Sequence, residues 1–397
     1  VDLFKQPAQN ISYETTQAMH HSLRDESLLN ILRLIRSENV GPVTFFQLIN
    51  RYKSVEKAIS ALPMLAFRGG LKRNIKLCSV QQASDEMEAT LKIGAKLIAY
   101  GTEHYPELLM QIPDAPPLLI AHGHTHLLKS KPILGMVGSR NASGNACRFA
   151  ENMAGELGKA SYIVASGMAR GIDTYAHKGS LKSGSIGVIA GGIDQVYPNE
   201  NAALFKQMIE TNVIITESPF STPPQHRHFP ARNRIIAGIS KGIIVVEAAQ
   251  KSGSLITAKC ALEYNREIFA VPGFPLDPRA SGTNQLIKEG AMLVSSAHDV
   301  IDSLLNRPHY LSDYHAKSAF NNFNVANDDN APDDDATLDS EREMILSLLS
   351  HTPLMVEEIL SMTGIPPQIV NVILLELEIA GLINYHIGGA ISRKYDE

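Results

Sequence analysis

Several things are scarce or missing in this chain of 397 residues. Cysteine occurs three times, at Cys78, Cys147 and Cys260. The three are scattered and show no metal-ligand spacing, which argues against a disulfide framework and for a reducing compartment. No apolar run reaches membrane-spanning length. The first residues are polar, with Asp2, Lys5 and Gln6, and carry no signal-peptide core. A soluble, cytoplasmic protein with no membrane partner is therefore expected. An overall positive charge is missing too: the formal net charge is -5, so the chain as a whole is no polycation. Two nucleotide signatures are absent. The turn after the first core strand is not G-x-G-x-x-G, and the second core strand ends in VASG without an acid to hold a ribose. There is no G-x-x-x-x-G-K-[ST]. A dinucleotide and P-loop ATP hydrolysis are both disfavoured, and neither cofactor nor metal is expected.

What the chain does have is apolar residue, 44% of the total, enough for a sizeable core. The stretch from Pro132 to Gly273 organises the rest. Short β-branched runs (PILGMVG, YIVASG, SIGVIAGG, NVIITESP, GIIVVEA and EIFAVPG) alternate with segments of helical pattern. Continuous apolar runs of this kind, each followed by a helix, predict buried parallel strands with crossover helices. The fold class is α/β, a Rossmann-like doubly wound, mostly parallel sheet. Its polar and glycine turns follow the strands, so one crevice beyond the strand ends should collect them. Charge is uneven: Lys131–Lys241 holds twelve Lys and Arg against seven Asp and Glu, leaving the remainder at -10. An anion would be attracted locally, not by the whole molecule.

Residues 1–24 read as a polar tail. Residues 25–81 read as a helical N-terminal domain of the helix-hairpin-helix or SAM-like kind. Apolar periodicity starts at Ser27, Val40-Gly41-Pro42 breaks it, VTFFQLINRY resumes it, and a third short helix is expected over Val55–Leu62. A helix–glycine turn–helix unit can offer N–H groups to a phosphate; the plainer reading is a bundle that only packs. The Rossmann-like domain spans 82–307. Within it His122, His124 and His126 alternate, either a metal site or, for want of a carboxylate or thiolate at ligand spacing, an exposed loop. Residues 308–339 are polar and acidic and read as a disordered linker. Residues 340–397 have the order of a winged helix: SEREMILSLLS with Ser340 as N-cap and Glu343 completing a capping box, VEEILSMTG, PPQIVNVILLELEIAG, and a hairpin over LINYHIGGAISR. A winged domain's third helix ordinarily reads DNA. Here it carries Glu376 and Glu378 and no Lys or Arg. Phosphate repulsion makes groove docking improbable, so a protein contact or self-association fits better.

Each strand-end turn has residues suited to an anion. Gly138 allows a sharp turn, Ser139 can donate a hydroxyl hydrogen bond and Arg140 can grip a phosphate with two N–H groups; alone, the tripeptide reads as a surface arginine on a tight turn. Ser166–Asp173, with Gly167 and Arg170, allows close backbone approach. Asp173 is placed as an N-cap, and Lys178 one to two turns further is either solvated or a phosphate contact. Gly191-Gly192-Ile193-Asp194 before Tyr197-Pro198 repeats the glycine logic. In His226-Arg227-His228-Phe229 cations flank an aromatic residue: Phe229 is either a stacking platform for a base or a buried staple. Arg232 and Arg234 do not share a helix face, so at least one can be structural, paired with Glu217 or Glu247. Ser252-Gly253-Ser254 opens another helix. No G-x-S-x-G elbow exists to make a nucleophile of a serine.

GSR, SGMARGIDTYAH, GGIDQVYP, TESPF…HFPARNRIIAGIS, VVEAAQKSGSLITA and VPG with SGTNQLIKEGA stand here in one order. In that order the chain resembles the DNA-processing protein A (DprA, also called Smf) family over nearly its whole length. The resemblance implies a non-catalytic protein that binds single-stranded DNA and loads the RecA recombinase on it during natural transformation. It also implies a homodimer through the Rossmann-like domain and a basic pocket for the strand. Ser139 and Arg140 look like phosphate contacts, and His226 to Phe229 resembles the strand-gripping loop. Family members often have a lysine before that phenylalanine, where this chain has His226 and Arg227. The candidate DNA contacts are therefore Ser139, Arg140, Gly167, Arg170, Lys178, His226, Arg227, Phe229, Arg232, Ser252, Gly253 and Ser254. The competing reading is a nucleotide- or nucleoside-phosphate-processing enzyme, because the scaffold also resembles that of the phosphoribohydrolases. Their P-G-G-x-G-T-x-x-E motif is absent where EAAQKSGSLITA stands.

Overall fold

A computed structural model describes residues 27–306, 335–386 and 389–394. The expected N-terminal tail and most of the acidic linker lie outside the described residues. The chain divides into two compact units. One joins the residues up to Ala83 with those from Ser318 onward; the other runs from Ser84 to Lys317.

In the first unit α1 (Leu28–Ile35) is N-capped by Ser27, whose side chain accepts from the Asn30 N–H. Gly41 caps α2 (Pro42–Tyr52), with Pro42 at the first helical position, where its missing N–H costs nothing. α3 (Val55–Arg68) is longer than the Val55–Leu62 expected and continues through Pro63. Leu62, Leu65 and Ala66 are buried along it, and that burial outweighs one lost helical hydrogen bond.

Helix α4 (Val80–Lys92) leads into the nine-stranded sheet. The strands are β1 (Lys96–Ala99), β2 (Leu118–Gly123), β3 (Ile133–Gly138), β4 (Ile163–Ser166), β5 (Ser185–Val188), β6 (Val213–Thr216), β7 (Gly242–Val246), β8 (Glu267–Ala270) and β9 (Met292–Leu293). Their order is β1-β2-β6-β5-β4-β3-β7-β8-β9. β6 through β9 in this order pair in parallel; β1 with β2 and β2 with β6 are antiparallel. The predicted doubly wound sheet is present. The intervening helices are α5 (Gly144–Lys159), α6 (Ile172–Ser180), α7 (Ala202–Thr211), α8 (His228–Ile239), α9 (Gly253–Glu263), α10 (Ser281–Lys288) and α11 (Ala297–Leu305). One core packs α5 and α6 on β3, β4 and β7 through Leu134, Met136, Ala150, Leu157, Val164, Ile172 and Ile244. Another gathers Ile120, Met168, Ile189, Phe205, Met208 and Ile214. Because the chain winds outward both ways from β3, the sheet reverses between β3 and β7. That is where an open α/β sheet leaves a crevice. A side chain at Gly138 would overlap the Val246 carbonyl oxygen, so glycine lets the two strands close at this seam.

His122 is the penultimate residue of β2, and the His124 ring meets the Glu210 carbonyl and stacks edge-on with His126. Among the described residues no group of His, Cys, Asp and Glu is set to hold a metal, and no helix is long and apolar enough to cross a membrane.

The C-terminal part of the first unit has α12 (Asp335–Leu348), α13 (Val356–Thr363), α14 (Pro367–Ile379), β10 (Ile383–Tyr385) and β11 (Ile391–Arg393). Helix α12 begins at Asp335, so Ser340 lies inside it and is not the cap expected of it. Gly364 closes α13 in the left-handed conformation, as the sequence suggests. Ile345, Ile359, Ile373, Leu374, Leu377 and Ile391 form the core.

Candidate functional site

The crevice forms where the turns after β4, β5 and β6 meet the start of α8, with the turn after β3 reaching it through Arg140. Ser139 follows β3; its Oγ accepts the Asn141 N–H at 3.1 Å, and its carbonyl accepts the Ile172 N–H at 3.2 Å. The turn is thereby rigid and Arg140 stands exposed at its tip. The Arg140 guanidinium lies 4.7 Å from the centroid of the Phe229 ring. Phe229 sits in the first turn of α8, half-buried, with the Tyr197 ring 5.8 Å and the His226 ring 6.5 Å away. The structure therefore unites two separately predicted residues, Arg140 and Phe229, in a cation–π pair. Phe229 is neither a fully open platform nor a buried staple: its edge lines a cleft, and the cation covers part of it. His226 and Arg227 are exposed beside it.

The cleft is lined by Gly167, Ala169, Ile189, Ala190, Gly191, Gln195, Tyr197, Pro224 and Phe229. Its free volume is about 10 Å³, room for about one water. Tyr197, 45% exposed, was not among the residues singled out. An aromatic residue just beyond the Gly191-Gly192 turn was its signal.

Four expected contacts are placed otherwise. Arg232 is 5% exposed. Its guanidinium donates to the carbonyls of Gly167 and Val188, at the ends of β4 and β5, and to Asn233 Oδ1 at 3.1 Å. It is a staple between loops and no ligand contact, because its N–H groups are spent on carbonyls that burial would orphan. Burial lowers its pKa to about 10, with Asp173 opposing, so it stays charged at neutral pH. Gly167 leaves the space this guanidinium fills, since a side chain there would overlap it. Its absent Cβ thus serves Arg232 before any ligand. Ser254 is buried, its hydroxyl 2.6 Å from that of Ser252, which caps α9. Lys178 lies in the second turn of α6 with its ammonium 4.9 Å from the Tyr175 ring, away from the cleft lining.

Asp173 is not the N-cap, a position Gly171 holds. The fully buried Asp173 carboxylate accepts the N–H groups of Gly167 at 3.1 Å and Ala169 at 3.3 Å. Burial raises its pKa, and Arg232 pulls it back. Arg234 pairs with Glu217 and with Asp114, so both arginines of α8 are structural. Glu247 does not pair with either. It accepts the Ser143 N–H at 2.8 Å and hydroxyl at 2.6 Å and so anchors the start of α5. Arg170 is exposed and pairs with Glu200 at 3.5 Å. Gly253 opens α9 beside free space, with nothing within 4 Å of where a Cβ would stand.

These features define a Rossmann-like protein with an open, cation-edged rim beside its cleft, and with a helical hairpin domain and a winged domain in the same chain. The chain belongs to the DprA/Smf family. Residues 96–305 match the family described as DNA recombination-mediator protein A, residues 25–89 the DprA-like N-terminal HHH domain, and residues 329–389 the DprA winged helix domain. It is 36% identical to protein Smf of Escherichia coli over 299 residues, 74% of this chain and 76% of that one. It is 42% identical to DNA processing protein DprA of Bacillus subtilis over 216 residues, 54% of this chain and 73% of that one. The X-ray structure of DNA processing protein A from Streptococcus pneumoniae is similar at a TM-score of 0.59 and 32% identity, covering 70% of this chain and 98% of that one.

Proposed function

We propose that this chain binds single-stranded DNA along the crevice rim and hands it to a RecA-type recombinase during DNA uptake, without catalysing a reaction. The observation that carries the reading is the pair Arg140 and Phe229, a phosphate-gripping cation held 4.7 Å from an exposed-edged ring. A strand presents a phosphate and a base side by side, and sequence-tolerant binders meet them with cations and aromatic faces. A phosphate entering at Ser139 and Arg140 draws the guanidinium from the ring and frees that ring for a base. His226, Arg227 and Arg170 extend the cationic rim, and Ser252-Gly253 offers a second helix start beyond it.

The geometry favours the nucleotide-processing alternative less. The acid just beyond β7, Glu247, is committed to Ser143. A homodimer through the Rossmann-like domain, a cytoplasmic location and the five-part division of the chain belong to this proposal too. Exposed Phe274, Leu276 and Leu293 near the β9 edge suit a second copy.

The deciding measurement is fluorescence anisotropy of a labelled single-stranded oligonucleotide at two salt concentrations, with a duplex control. Salt-sensitive preference for the single strand is expected. Its absence, together with base release from nucleoside monophosphates, would overturn the reading in favour of the enzyme. A pull-down with RecA and sedimentation analysis test the two protein partners.

A further inference from the structure

We propose that the winged domain is an acidic, intrachain occupant of the basic N-terminal helical domain, with α14 covering a face and turn that would otherwise be open to nucleic acid. Three observations carry it. First, α14 packs on α2 and α3 within one compact unit. The approach is backbone-close: a side chain at Gly69, the C-cap of α3, would overlap the Glu376 carbonyl oxygen and come within 2.8 Å of the Ala380 Cβ.

Second, the hairpin turn itself is engaged. Asn39, just before Val40-Gly41-Pro42, adopts a left-handed φ of 59° and donates its side-chain N–H to the Ile379 carbonyl at 3.0 Å. The Thr44 hydroxyl in the first turn of α2 and a carboxyl oxygen of Glu378 are both buried, without a hydrogen-bond partner. The turn that could offer N–H groups to a phosphate is facing the end of α14 instead.

Third, the two parts are opposite in charge. Residues 27–83 hold nine Lys and Arg against two Glu, whereas residues 335–394 hold eight Asp and Glu against three Lys and Arg. Complementary potentials select partners, and a strongly basic domain is the electrostatic footprint of nucleic-acid binding. The complementarity lies in the net charge of the two parts and not in α14 itself, whose Glu376 pairs with Arg342 of α12 at 2.7 Å and whose Glu378 has a buried carboxyl oxygen.

The test uses the full chain with Gly69→Ala. Gly69 has helical dihedrals, φ -68° and ψ -3°, so alanine is unstrained there and only the contact with α14 suffers. The crevice is disabled in parallel by Arg140→Ala with Phe229→Ala, so that any new binding arises elsewhere. Hydrogen exchange should speed up in peptides covering 42–69 and 367–381 and stay unchanged in those covering 133–246. In the crevice-disabled background, Gly69→Ala should raise affinity for a labelled oligonucleotide at least threefold, and the gain should vanish at high salt. Asn39→Ala, which removes only the turn's hydrogen bond, should act in the same direction with smaller size. Unchanged exchange in both variants would overturn the docking. Faster exchange with no gain in binding would overturn the occlusion.

Discussion

On the floor of the crevice Arg232 is 5% exposed and gives its N–H groups to main-chain carbonyls. On the rim Arg140 is exposed and leans over Phe229. The two side chains are chemically identical, one on helix α8 and the other on the turn after β3. Their difference lies in what surrounds them: strand ends supply unpaired carbonyls on the floor, and a rigid turn lifts the cation into solvent on the rim. Buried guanidinium is bound by the fold; exposed guanidinium is available to a ligand.

The comparison breaks most visibly at the floor. Arg232→Ala leaves two buried carbonyls without donors and removes a cation that favours the charged form of buried Asp173, a loss of about 3–5 kcal/mol. At about 2–4 °C per kcal/mol for a domain of this size, the melting temperature of the variant should fall by roughly 6–20 °C in calorimetry. An unchanged melting temperature would return Arg232 to the candidate ligand contacts. Phe229→Ala comes next: a lost stack is worth about 1–3 kcal/mol per base, so oligonucleotide affinity should drop about fivefold or more with the salt slope intact. Arg140→Ala should weaken binding and flatten the slope of log affinity against log salt by about 0.7, with the melting temperature unmoved. If Arg140→Ala also unfolded the protein, floor and rim would not be distinct.

The smallest expected effects are in pH. Burial lowers the His177 pKa to about 3, and its Nδ1 is 2.8 Å from the Ser185 hydroxyl. A histidine with a depressed folded pKa stabilises above its ordinary value and loses that contribution as pH falls from about 6.5. Acid should therefore destabilise the sheet domain, and His177→Gln should flatten that limb of the stability–pH curve. Glu378 has the opposite sign. Burial raises it to about 7, with the Thr44 hydroxyl pulling the other way. Its stabilising contribution is present at low pH and fades as pH rises from about 4.5 through 7. Exchange in peptides 367–381 should quicken over that window, and Glu378→Gln should remove the change.

The sheet was legible because its strands are continuous β-branched runs, and because β3, β4 and β5 each run into a glycine turn, at Gly138, Gly167 and Gly191. Arg140 and Phe229 were legible as types but not as a pair, since ninety residues separate them and only the sheet order brings them together. The burial of Arg232 was not legible, because a cation near an aromatic residue looks the same in sequence whether it faces solvent or carbonyls. The helical start at Asp335 was hidden by an acidic run, which composition reads as solvated chain. Tyr197 went unselected because its partner ring is far away in sequence.

The first unit is assembled from both ends of the described chain, with the whole doubly wound sheet lying between its halves in sequence. During synthesis the N-terminal helices leave the ribosome first, yet α14 follows only roughly 280 residues later, a delay of about 15–60 s at ~5–20 residues/s. For that interval their basic, partly apolar face is uncovered, so the domain made first is the one completed last.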